Sequence, residues 1–141
     1  MTLSPRLRAV VDALPLRPGL RVLEIGCGPG AAAREVARRV PDGRVLGVDR
    51  SPRAIAAARA ANDLGTDRLD FRCVAVEDLR LDPDEPGYDL AFAVRVGALD
   101  GRHPELAEQA LRRLAAVLVP GAPLLVDGGD PLRALPLPPP G

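Results

Sequence analysis

The chain has 141 residues, with 19 arginines, no lysine and 19 acidic side chains, so its formal net charge is zero. That balance excludes the electrostatic footprint of a nucleic-acid binder or of a protein held on an anionic membrane. The length allows one domain with a substantial core, and aromatic residues at 2% against 47% hydrophobic residues mean an aliphatic one.

In chain order, "SPRLRAVVDAL" begins with Ser4 as a helix cap and Pro5 in the first turn, and places Leu7, Val10, Val11 and Leu14 on one face. "RVLEI" (21–25) reads as a buried strand, and "GAAAREVARRV" (30–40) as a helix stopped by "PDG". "RVLGVD" (44–49) is a second strand. "SPRAIAAARAANDLG" repeats the Ser-Pro start and ends at Gly65, a helix with both boundary signals. "RLDFRCVAV" (68–76) and "YDLAFAV" (88–94) read as further strands, "PELAEQALRRLAAVL" (104–118) as a helix, and "APLLVD" (122–127) as a fifth strand. The remaining "GGDPLRALPLPPPG" is rich in proline, which cannot pair inside a sheet, and is expected to be an extended tail.

Strands and helices alternating at this spacing predict an α/β fold: a doubly wound, mainly parallel Rossmann-like sheet of about five strands with helices on both faces. Residues 1–130 are expected to form a cofactor-binding domain and 131–141 a proline-rich tail. Cys27 and Cys73 have no metal-ligand or redox spacing and read as reduced thiols. Arg6, Arg8 and Asp12 interrupt the first apolar stretch, unlike a secretory signal, and no apolar run approaches the roughly 18 to 20 residues of a membrane span. A cytoplasmic chain is expected. The arginine-, alanine- and proline-rich composition suggests a GC-rich bacterial genome.

The first strand runs into "VLEIGCGPG" (22–30), with glycines at 26, 28 and 30 and an acid, Glu24, inside the strand. In a doubly wound sheet this loop lies in the crevice beyond the strand ends, and the next helix points its free N–H groups into it. A Walker-type phosphate loop needs Gly-Lys-Ser/Thr, which a chain without lysine lacks. A dinucleotide fingerprint is formally matched by Gly26, Gly28 and Ala31. Glu24, however, would set negative charge near a pyrophosphate, whereas it suits an ammonium or a sulfonium. Asp49, closing the second strand, can accept hydrogen bonds from both hydroxyls of a ribose. Ser51 already serves as cap for the following helix. A ribose with a cationic, zwitterionic tail is the ligand these acids favour.

"VLEIGCGPG", "VLGVDRS", "YDLAFAV" and "LRRLAAVLVPGAPLLVD" occur in the order and at the spacing that resemble the class I S-adenosylmethionine-dependent methyltransferases, over about residues 20–127. The resemblance implies S-adenosylmethionine as cofactor. It implies Glu24 at the methionine end, the backbone of Gly26, Cys27, Gly28 and Gly30 along the methionine and ribose, Asp49 on the ribose hydroxyls, and Arg50 beside the adenine. Where the family places an Asp for the adenine amino group, this chain has Ala75. Val76 then takes the backbone position, and Glu77 or Asp78 either substitutes as acceptor or caps the turn before Leu79.

Val94, Arg95 and Gly97 are expected near the methyl group. A small-molecule acceptor is implied, with no nucleic acid, membrane or metal involved. Methyl transfer from a sulfonium requires alignment in a dry pocket, and a base only if the acceptor carries a proton. Among residues at the acceptor side, His103 is the candidate base, of the type that titrates near neutrality, and Arg95 is a candidate to hold an anionic acceptor. Relative to the family pattern the chain reads as lacking the last two strands. The alternative function is therefore a non-catalytic S-adenosylmethionine-binding module or partner subunit. It also leaves the fifth strand as an apolar edge, for which a homodimer through that edge or the adjacent helix is expected.

Overall fold

Two of the helices start where a serine hydroxyl satisfies a first-turn donor. In the computed structural model, which describes residues 3–139, Ser4 Oγ accepts the Leu7 N–H at 3.2 Å at the head of α1 (Pro5–Ala13). Ser51 does the same for Ala54 at 3.1 Å at the head of α3 (Pro52–Ala61). The helix between them, α2 (Ala31–Arg39), begins after Gly30, which has no side chain to cap its first turn. The remaining helices are a short α4 (Gly97–Asp100), for which the sequence predicts no element, and α5 (Pro104–Val117).

The strands β1 (Arg21–Ile25), β2 (Arg44–Asp49), β3 (Leu69–Cys73), β4 (Leu90–Ala93) and β5 (Leu124–Asp127) run parallel to one another. The sheet order is β3-β2-β1-β4-β5-β6. Chain order therefore reverses between β1 and β4, and the carboxyl ends of these two strands frame the crevice where such folds hold ligands. Alternate residues serve two cores. Val22, Val45, Leu69 and Phe71 face the layer of α1, α2 and α3, while Leu23, Ile25, Leu46 and Val48 face the layer of α4 and α5. The core is aliphatic apart from Phe71, Phe92 and Tyr88.

Two expectations need correction. The third strand ends at Cys73, not residue 76, because Val76–Asp78 winds into a 3₁₀ turn closed by Asp78 N–H to Ala75 O. More consequentially, the sheet has six strands. Leu132–Leu135 form β6, antiparallel to β5, pairing Leu124 with Leu135 and Asp127 with Leu132. The prolines that argued against a strand stand at positions 131 and 136, outside these four residues, and Gly128–Gly129 supply the reversal. Leu135 and Leu137 pack on the α5-side core. The β5 edge, expected to be open, is thus paired from within the chain.

Deleting residues 131–141 should uncover β5 and part of that core. The expected outcome is a lower thermal midpoint and concentration-dependent association in sedimentation, neither seen with the full chain.

Candidate functional site

The glycine loop after β1 is shaped by two different demands. Gly26 (φ +66°) lies so close to the β4–α4 connection that a Cβ there would sit 2.6 Å from Val96 Cγ2. Gly30 (φ +84°) is pressed on the core, where a Cβ would meet Phe71 Cζ at 2.7 Å. Gly28 (φ +53°) differs: nothing lies within 4 Å of its missing side chain, so the loop is open to a ligand at that point.

Asp49 holds the loop in this shape. Its Oδ2 accepts the Gly28 N–H and its Oδ1 the Ser51 N–H, both at 2.9 Å. A carboxylate has about four acceptor positions, so two remain for a diol. Asp49 therefore both braces the loop and presents acceptors to the crevice, whereas the sequence reading separated capping from binding.

Two cavities open along the carboxyl ends of the strands and share Gly26 and Arg95 in their walls. The first, about 220 Å³, brings together Asp49, Arg50, Ala75, Val76, Glu77 and His103. The second, about 310 Å³, brings together Glu24, Cys27, Gly28, Val94, Arg6 and Leu7. Of the residues singled out as cofactor contacts, Gly30 and Asp78 lie outside both walls: Gly30 packs on Phe71, and of the two candidate acceptors after Val76 only Glu77 lines the cavity.

Glu24 is 3% exposed, and its Oε1 is buried without a hydrogen-bond partner. Desolvation pushes its carboxyl up to about 8, tempered by the Ala33 N–H in the first turn of α2 and reinforced by the charge of Asp49. An orphaned carboxyl in a cavity wall is suited to a cation that would restore its charge. Cys27 is also buried, and burial, with Glu24 and Asp49 nearby, pushes its thiol up to about 12. At neutral pH it is a packing residue, not a nucleophile.

His103 lies at the head of α5, with Nδ1 3.4 Å from Glu105 Oε1 and its ring against Gly97, where any Cβ would collide with it. Two further residues escaped the sequence reading. Asp127, at the end of β5, accepts the Arg95 N–H at 3.0 Å, and its other oxygen pairs with Arg6 at 3.1 Å. That pair joins α1 to β5 across 121 positions, a separation no local pattern signals. Among the described residues no His, Cys, Asp and Glu cluster is arranged to hold a metal, and no helix is long and apolar enough to cross a membrane.

A family model described as a methyltransferase domain matches residues 22–121. The chain belongs to the class I S-adenosylmethionine-dependent methyltransferases. Among the methyltransferases it resembles is a ubiquinone biosynthesis O-methyltransferase of Bradyrhizobium sp. (strain ORS 278), 37% identical over 109 residues that cover 77% of this chain and 40% of the relative. A trans-aconitate 2-methyltransferase of Methylobacterium nodulans is 35% identical over 131 residues, 91% of this chain and 46% of the relative. Among solved structures, an S-adenosylmethionine-dependent methyltransferase from Mesorhizobium loti superposes with a TM-score of 0.64 at 30% identity, covering 86% of this chain and 51% of that one. The chain thus spans less than half the length of these two curated methyltransferases.

Glu24 also links this site to stability. Its carboxyl keeps the proton in the folded chain up to about pH 8 but would release it near 4.5 when unfolded. Between these values the unfolded chain binds fewer protons, so this group lowers stability as pH rises through that window. Glu24→Gln should remove that loss. Denaturant titrations from pH 5 to 9 are expected to show the variant gaining on the wild type with pH, by an amount on the order of a few kcal/mol at the alkaline end.

Proposed function

We propose that the chain binds S-adenosylmethionine across the two joined cavities and directs its methyl group to a small-molecule acceptor. The observation that carries this reading is Asp49, with acceptor capacity left over, and the orphaned Glu24 carboxyl in the walls of two cavities that share Gly26 and Arg95. A diol at Asp49 and a cation at Glu24 are the two ends of one ligand class, and the open space at Gly28 lets backbone and ligand approach between them.

When bound, the cofactor supplies an electrophilic methyl carbon and a sulfur that takes back the electron pair of the broken bond. The protein's own task is placement and exclusion of water. Val76 and Glu77 wall the adenine side, with Ala75 leaving the base one side-chain acceptor short. Arg50 flanks the same end. At the other end Glu24 takes the ammonium, and Arg6, which already balances Asp127, is placed for the carboxylate of the amino-acid tail. Arg95 and Val94 border the point where the two cavities meet, and His103 stands at the acceptor side as the residue that could receive a proton. The relatives named as O-methyltransferases support an oxygen nucleophile on the acceptor.

Calorimetry tests this directly. S-adenosylmethionine and its demethylated product should bind, and NAD should bind at least tenfold more weakly, because a pyrophosphate brings Glu24 no ammonium to restore its charge; equal or tighter NAD binding sinks the reading. Asp49→Asn should weaken cofactor binding by about 1.5 to 3 kcal/mol, the scale of a hydrogen bond to a charged group. Ala75→Asp should tighten it by giving the adenine amino group an acceptor. An unchanged or lower affinity in a folded Ala75→Asp protein would place the adenine elsewhere.

A further inference from the structure

Arg95 has a left-handed backbone, φ +59°. Among the described residues the only other non-glycine with positive φ is Asp42, in the turn before β2, a residue type that tolerates this region. Arginine does not, so the conformation must be imposed. Two contacts impose it: the Arg95 N–H donates to Asp127 Oδ1 at 3.0 Å, and its carbonyl accepts from Arg102 Nη2. Arg102 is itself braced by Asp100 at 2.8 Å. Strain held in place by surrounding bonds is a mark of functional positions.

The imposed turn breaks the alternation of β4 and places Arg95 in the wall common to both cavities. The neighbouring carboxylates are engaged elsewhere, Asp127 with Arg6 and Asp100 with Arg102. The exposed Arg95 guanidinium therefore has no carboxylate partner among the described residues. It stands where the acceptor must enter, and a guanidinium recognises a planar carboxylate through two parallel hydrogen bonds.

We propose that Arg95 is the specificity-determining residue of the acceptor site and selects small molecules bearing a carboxylate, its pinned backbone keeping the guanidinium turned toward them. This rests on the methyl-transfer reading above. The same guanidinium could serve the carboxylate of the cofactor itself, and the experiment separates the two sources.

Wild type, Arg95→Gln and Arg95→Lys, each first titrated with S-adenosylhomocysteine and then saturated with it, are titrated with benzoate, succinate and tricarballylate and with the corresponding amides. At least one acid should bind the wild type tenfold or more tightly than its amide. Arg95→Gln should abolish that preference and Arg95→Lys retain part of it. A wild type without acid preference, or an Arg95→Gln variant that keeps it, overturns the proposal. So does a tenfold loss of S-adenosylhomocysteine affinity in Arg95→Gln, which would assign the residue to the cofactor. If wild type fails to bind S-adenosylhomocysteine at all, the cofactor reading falls first and this proposal with it.

Discussion

The site depends on one charge-assisted hydrogen bond, from the Gly28 N–H to Asp49 Oδ2 at 2.9 Å. It joins the loop after β1 to the end of β2 and fixes the height at which the glycine backbone passes over the sheet. Bonds of this kind contribute roughly 1.5 to 3 kcal/mol, enough to select one loop conformation from many. The second oxygen of Asp49 holds Ser51, whose hydroxyl starts α3. A single carboxylate therefore sets the register between a ligand loop and the helix after the neighbouring strand. The glycine loop and the head of α3, on one side of the crevice, take their positions from it.

Glu24 represents the opposite tendency. Every other residue of β1 after Arg21 is apolar and buried, and an apolar side chain at position 24 would suit the fold better. Its buried, unpartnered oxygen is a cost that packing does not repay. Local rules for a buried strand are broken at one position only, and that position opens into the cavity. Such a conflict between fold and side chain is expected at functional sites.

Much of this was legible in the sequence because it is local. The Ser-Pro starts of α1 and α3, the apolar strands, and the Gly-rich turn between β1 and α2 are each decided within a few residues, and Glu24 and Asp49 stand out as acids at strand positions. What was not legible depends on distant contacts. Proline density around β6 hid a four-residue strand whose pairing is decided by the apolar edge of β5, not by its own propensity. Arg6 reads as one of many surface arginines until α1 docks beside Asp127. Arg95 carries no sequence signal of a left-handed backbone, since its conformation is imposed by Asp127 and Arg102.

The ion pair between Arg6 and Asp127 has a consequence for how the site comes into being. Its partners are 121 positions apart, and the crevice itself lies between β1 and β4, whose paired residues, such as Val22 and Leu90, are also far apart in the chain. During synthesis the glycine loop, α2, β2 and α3 emerge early and can settle against one another. The cavity wall at Arg95 and the anchor at Asp127 emerge after them. Chains fold broadly in the order they are made, and long-range pairings are slow to close. The nascent protein therefore holds a shaped loop with no opposing wall until β4, α4 and β5 have been made, and ligand competence arrives only with them.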